Sequence, residues 1–290
     1  MRRPVRPARL PARPAPTRTR RSTRSNRSLW DRTARTYERR HAPSLRGRHA
    51  AAWGVWRIPE QRLRLLGRVR GSRTLELGCG AADWSIALAR RGARPVGIDF
   101  SAVRVRQAAS NRQACGVRFP LAQATAERLP FHDAAFDLVF CDWGAMTFAD
   151  PAATVPEVAR VLADQGRFVF ATASPIHRLA YARTRDRLSR SFQRVYFGMH
   201  RLKMGGAEEY QLPYGTWIGL FRRHHLRVEA LVETRPGPRS TSTYWTAADR
   251  AWSRRWPAES IWSLSRETRK TDGVKSSGRL RSGRPRGSAK

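Results

Sequence analysis

Glu76, Gly78, Gly80 and Asp99 are the residues whose types and spacing most clearly specify chemistry in this chain. The first three lie in Thr74-Leu75-Glu76-Leu77-Gly78-Cys79-Gly80-Ala81-Ala82-Asp83, where a short apolar strand enters a glycine-rich turn and a helix begins at once. Asp99 ends a second strand, Val96-Gly97-Ile98-Asp99, nineteen residues after Gly80. Glycine lets a backbone adopt φ > 0 and approach a ligand closely. A carboxylate at the end of the next strand can accept paired, charge-assisted hydrogen bonds from vicinal ribose hydroxyls. Together these features predict a pocket for a nucleotide cofactor. A dinucleotide site wants glycine at the first, third and sixth positions, the last for close helix–strand packing. The sixth position here is Asp83, which fits that site poorly.

A β-α alternation must position these groups. The pattern predicts helices over 29–40 and 60–67, a strand over 73–77, a helix over 82–91 and a strand over 95–98. A helix over 102–111 follows, with Ser101 as its N-cap. Strands are expected over 117–121 and 136–141, a helix over 152–162 and a strand over 167–172. Residues 174–212 break the rhythm with aromatic, basic and glycine-containing sequence. A helix over 214–225 and strands over 227–233 and 260–264 restore it. The fold class is α/β, a doubly wound and mostly parallel sheet.

In that setting the chain resembles the class I S-adenosylmethionine-dependent methyltransferases. The resemblance rests on the Glu-x-Gly-x-Gly-x-small run at 76–82 and on Ala126-Glu127-Arg128-Leu129-Pro130-Phe131 with Phe136-Asp137-Leu138-Val139. It extends to Glu157–Leu162 with Phe168-Val169-Phe170, and to Trp30-Asp31 with Ala34 and Tyr37. Within that family the chain is most similar to small-molecule methyltransferases of the ubiquinone-biosynthesis type. The resemblance implies a Rossmann-like seven-stranded sheet closing on a C-terminal antiparallel hairpin, with a lid insertion at about 174–212. It implies a domain over 30–265, S-adenosyl-L-methionine as cofactor, and methyl transfer by in-line displacement to a small-molecule acceptor.

The resemblance also assigns roles, each with a plainer alternative. Glu76 holds the cofactor's ammonium, or balances nearby arginines. Gly78, Cys79 and Gly80 offer bare backbone, and Ala82 replaces the usual third glycine. Asp99 reads the ribose, or serves as a helix N-terminal acid. Phe100 packs on adenine, with Thr125, the Ala126 N–H and Glu127 beside it, although Glu127 could simply brace its loop. Tyr37 covers the methionine end. Cys141 and Asp142 follow the fourth strand, where methyl donor and acceptor meet. Neither Pro-Cys nor Asn/Asp-Pro-Pro-aromatic stands there, so Cys141 reads as a packing residue rather than a nucleophile. Asp142 is a candidate for touching the cofactor's methionine part or positioning the acceptor, or a cap for the next turn. His177, in Ser174-Pro175-Ile176-His177, is the general-base candidate, though a lone histidine is more often structural. No acid and histidine cluster has metal-ligand spacing, so no metal is implied.

The formal charge of +35 invites a nucleic-acid partner. Two features count against it. Residues 1–29 hold ten arginines and no acid, and residues 266–290 hold nine basic residues, so much of the excess is terminal. Only four of the 57 basic residues are lysines, an arginine bias that GC-rich coding produces without selection for phosphate. Both ends have too few large apolar residues to offset ordering entropy and are expected to be disordered. Three scattered cysteines, with no apolar run near the roughly 20 residues of a membrane span, suggest a reduced cytoplasmic protein without membrane partners. Two other functions stay open: a nucleic-acid-associated methyltransferase or adaptor using the basic ends, and a cofactor-binding protein without catalysis.

Overall fold

The computed structural model describes residues 16–46, 51–182 and 187–268. Seven strands form one sheet: β1 (Arg73–Leu77), β2 (Arg94–Asp99), β3 (Leu121–Gln123), β4 (Phe136–Asp142), β5 (Leu162–Ala173), β6 (Leu226–Glu233) and β7 (Glu259–Arg266). Their order is β3-β2-β1-β4-β5-β7-β6. The first five are parallel, and β7 runs antiparallel between β5 and β6. This is the doubly wound, mostly parallel sheet with a closing antiparallel hairpin that the β-α alternation predicts. The chain reverses direction of winding between β1 and β4, the switch point at which such sheets open a crevice beyond the strand ends.

The core follows from the period-2 alternation of side chains. On one face Leu75, Leu77, Val139, Cys141, Phe168, Phe170 and Trp262 pack against helices α4 (Pro151–Val161) and α6 (Tyr214–Arg223). On the other, Leu138, Phe140, Val169, Ala171 and Ile261 meet α2 (Asp83–Arg90) and the 51–66 segment. β6, at the sheet edge, buries only alternate side chains, as Leu226-Arg227-Val228-Glu229 foretells. Helix α3 (Ala102–Ala114) starts as expected, with the Ser101 hydroxyl accepting the Arg104 N–H at 3.1 Å.

Some boundaries differ from expectation for identifiable reasons. The helix predicted over 60–67 stops at Leu63. The Glu60 carboxylate accepts the Leu66 N–H (2.7 Å) and the Trp53 indole N–H (2.6 Å), which pulls the chain back on itself. β3 begins at Leu121 rather than 117, because Pro120 cannot donate to the ladder and Phe119 packs as loop on Ala82, Ile86 and Ala108.

The larger correction concerns residues 16–29, which were expected to be disordered. They form the first half of α1 (Pro16–Leu45). The expectation counted apolar burial and missed docking through polar groups. Asn26 is buried; its amide donates to the Phe148 and Glu208 carbonyls (3.0 and 2.7 Å) and accepts the Glu208 N–H (2.9 Å). Ser22 pairs with the Tyr210 hydroxyl at 2.7 Å, and Thr23 donates to Glu127 at 2.7 Å. Residues 1–15 and 269–290, the rest of the expected tails, lie outside the described residues.

Segment 174–212 comprises helix α5 (Pro175–Ala180) and two short hairpins, Tyr181–Ala182 with Arg187–Leu188 and Arg201–Met204 with Ala207–Tyr210. Helix α7 (Ala247–Ser253) was not anticipated. Its capping box, Thr246 with Asp249, is plain in the sequence once sought.

Candidate functional site

A cavity of about 300 Å³ lies beyond the carboxyl ends of β1, β2 and β4. Its floor is the Gly78–Gly80 turn. Gly78 has φ +70°, and a Cβ there would lie 2.5 Å from the Ala145 nitrogen. A Cβ on Gly144 would lie 2.5 Å from the Leu77 carbonyl oxygen. The turns after β1 and β4 thus touch backbone to backbone, which only glycine at both positions permits. Ala82 adopts φ +60° as the residue that starts α2 and is wholly buried; it shapes the turn without lining the cavity.

Asp99 bonds to both sides of this floor. Its Oδ2 accepts the Gly80 N–H at 3.0 Å and its Oδ1 accepts the Ser101 N–H at 2.9 Å. Burial raises its pKa against those two bonds and the nearby Arg104. Glu76, at the end of β1, accepts the N–H (3.0 Å) and the hydroxyl (2.5 Å) of Ser85. Burial pushes it up to about 8, despite bonds that favour the charged form. Asp83 is likewise pushed by burial to about 6. The cavity is therefore acidic, with carboxyl groups poised to ionise beside a cation.

Phe100, Thr125 and Ala126 complete one end, and Cys79 also lines the wall. Glu127 does not reach the cavity. Its Oε1 accepts the Asp150 N–H at 2.9 Å and its Oε2 accepts the Thr23 hydroxyl, so it braces the loop and α1. Cys141 is also absent from the lining. It is wholly buried, its Sγ accepts the Met146 N–H at 3.4 Å, and burial pushes its thiol up to about 12.

Asp142 lines the opposite wall. It accepts the Gly54 N–H (2.9 Å) and the Trp84 indole N–H (3.1 Å), and Arg57 stands 3.5 Å away. Next to it, buried Glu259 accepts the Val55 N–H (2.8 Å) and the Trp143 indole N–H (2.6 Å). The loop 53–57 is thereby held down by two carboxylates from different strands.

The roof is aromatic: Trp30 and Tyr37 from α1, Phe148, Trp143, and Tyr244 with Trp245 from the loop before α7. The Tyr37 and Tyr244 hydroxyls meet at 2.7 Å. His41 stacks on Tyr244, with ring centroids 4.0 Å apart and planes 3° apart, and bonds Thr243 through Nδ1 at 2.8 Å. Helix α1 therefore covers the cavity as expected, but segment 174–212 contributes nothing to its lining. The partner of α1 is the 234–246 loop. Segment 174–212 instead clasps the outer half of α1 through Glu208 and Tyr210.

His177 is the clearest correction. It does not line the cavity but lies behind Trp245, stacked at 5.0 Å with planes 10° apart, with Trp252 edge-on at 6.1 Å. Ser174 caps α5 and fixes this orientation by accepting the His177 N–H at 2.9 Å. Burial, with Arg178 and Arg194 nearby, holds the imidazole well below its ordinary pKa, which disfavours the protonated form a base must reach. Sequence reasoning also missed Arg57, Trp84, Arg104, Tyr244 and Trp245. The Trp53–Trp56 cluster and the Thr246 cap were the available signals.

Residues 75–170 match a protein family described as "Methyltransferase domain". The chain is 32% identical over 163 residues to the "Uncharacterized methyltransferase YcgJ" of Bacillus subtilis, covering 50% of this chain and 64% of that protein. It is 33% identical over 146 residues to a "Demethylmenaquinone methyltransferase" of Lactiplantibacillus plantarum, covering 49% of this chain and 59% of that one. An S-adenosylmethionine-dependent methyltransferase from Mesorhizobium loti superposes with a TM-score of 0.58 at 23% identity, over 71% of this chain and 96% of its own. Residues 75–170 thus carry a methyltransferase domain, on the fold of the class I S-adenosylmethionine-dependent enzymes.

The matched residues of this methyltransferase domain are those that build the cavity floor, from β1 through β5. They fit the cofactor the family implies. A Cβ on Gly78 would meet the Ala145 backbone and one on Gly80 the Arg104 guanidinium, so the turn keeps bare backbone beside the cavity, and each oxygen of Asp99 retains capacity to accept a further hydrogen bond. Glu76 is a buried carboxyl with no ion-pair partner among the described residues, suited to an ammonium. The chain spans less than two thirds of the length of these two curated relatives.

Proposed function

We propose that this chain transfers a methyl group from S-adenosylmethionine to a small-molecule acceptor. The observation that carries the reading is the pairing of Glu76 and Asp99. They are two buried carboxyl groups at the ends of adjacent parallel strands, flanking a backbone turn too tight for a Cβ. Glu76 would hold the ammonium, Asp99 the ribose, and Phe100, Thr125 and Ala126 the adenine. When bound, the cofactor supplies a methyl group already made electrophilic by its sulfonium.

The chain's own work is then alignment and exclusion of water. The rings of Trp30, Tyr37, Trp143, Tyr244 and Trp245 shield the cavity and offer π faces to a cation. Asp142 is a positioning residue: its bonds to Gly54 and Trp84, with Arg57 close by, fix the 53–57 wall. No histidine is among the described residues lining the cavity, so a proton lost by the acceptor would pass to a carboxylate or to solvent. The Tyr37–Tyr244 closure favours a small acceptor over a polymer, which would need an open groove.

The test is transfer of a labelled methyl group across a panel of small hydroxyl, amine and carbon acceptors, with RNA and DNA alongside. Label in a small molecule is expected. Label in nucleic acid alone, or none at full cofactor occupancy, contradicts the reading.

A further inference from the structure

The loop between the two hairpins of segment 174–212 is conspicuously apolar and conspicuously basic. Phe192, Val195 and Phe197 are 67%, 75% and 76% exposed, within six residues of one another. Large apolar side chains this exposed and this close together mark an interaction site. From 187 to 207 the sequence has five basic residues (Arg187, Arg190, Arg194, Arg201 and Lys203) and no acid, with Asp186 immediately before it; Arg187 and Arg190 are exposed, whereas Arg194 is half-buried and donates to the Tyr181 carbonyl at 3.0 Å. The nearest acids downstream are engaged: Glu208 with Arg201, and Glu209 in a buried pair with Arg178. Helix α7 extends the surface. The Trp252 indole donates to the Ser189 carbonyl at 3.2 Å, and one turn further on stand exposed Arg254 and Arg255 with Trp256, 52% exposed.

We propose that this surface docks on an anionic lipid bilayer, with Phe192, Val195, Phe197 and Trp256 entering the interface and the arginines meeting headgroups. Aromatic and aliphatic tips within a basic collar are the composition of an interfacial anchor. A second copy of the chain is the weaker occupant, because it would bring two loops of net positive charge together. Among the described residues no helix is long and apolar enough to cross a membrane, so the contact is peripheral.

The test is cosedimentation of the full chain with phosphatidylcholine vesicles, with and without phosphatidylglycerol, at about 0.15 M salt. The basic ends attract any polyanion, so the variant F192S/V195S/F197S, which keeps every charge, is the comparison. Wild type should pellet with the anionic vesicles, and the variant should bind them at least tenfold more weakly with unchanged cofactor affinity and Tm. Equal vesicle binding by the two proteins overturns the proposal. So does an equal loss of RNA binding in the variant, which would make the patch a nucleic-acid surface. Independently of that variant, brominated phosphatidylglycerol should quench wild-type tryptophan fluorescence, and Trp256→Phe should reduce the quenching. No quenching in the wild type would count against insertion.

Discussion

Asp99 both shapes the glycine turn and faces the cavity, so its removal should be felt at once by the cofactor. Asp99→Ala is expected to weaken S-adenosylmethionine binding by about 10–100-fold, or ~1.5–3 kcal/mol, in a calorimetric titration. An unchanged Kd would mean the ribose is held elsewhere. Glu76 makes a prediction about pH. Its folded value, about 8, lies above its ordinary 4.5, so the carboxyl is largely neutral below pH 8 in the free protein. An ammonium placed against it favours the charged form. Cofactor affinity should therefore rise from pH 6 to about pH 8, above which the cofactor's α-ammonium itself loses its proton, with proton release on binding in that range detected by titration in buffers of different ionisation heat. Glu76→Gln should flatten that dependence; a wild type already flat would contradict the placement. The place of these two acids in the cavity wall was legible in the sequence because it follows from residue type and spacing. His177 was not, because its side chain's direction depends on a packing partner far away in sequence, Trp245; for Glu127 the bracing alternative holds, through Thr23 and Asp150.

At the scale of elements, the sheet strands could be read because each carries its own apolar pattern. Helix α1 could not be read to its full length. Its outer half is polar, and it is held by hydrogen bonds whose partners, Phe148, Glu208 and Tyr210, lie more than 120 residues away. The roof shows the same limit: the 234–246 loop has no periodic pattern, yet its Tyr244 and Trp245 close the cavity. Asn26 tests the docking of α1. Asn26→Ala leaves two carbonyls and one N–H of other residues without a partner, and should cost about 2–3 kcal/mol. That corresponds to a fall in Tm of roughly 4–12 °C for a domain of this size. A variant with the wild-type Tm would show that α1 contributes little to the folded state.

For the whole molecule, the buried acids set how stability responds to pH. Glu76 and Glu259 both titrate at about 8 when folded, against 4.5 ordinarily. The folded chain thus binds more protons than the unfolded chain between those values, and stability must fall as pH rises through that window. Tm should be higher at pH 6 than at pH 9, and Glu259→Gln should narrow the difference. A Tm that holds or climbs toward pH 9 would contradict the burial of these groups. The fold itself was legible from the β-α rhythm, whereas the acceptor is not, because much of the roof, Tyr244 and Trp245 above all, comes from a loop without a regular pattern. The central claim is that the cavity beyond β1, β2 and β4 binds S-adenosylmethionine, and calorimetric titration of the full chain tests it most directly. One cofactor should bind per chain with a Kd in the micromolar range, about −8 kcal/mol. A folded chain that gives no binding heat at millimolar cofactor would contradict the account.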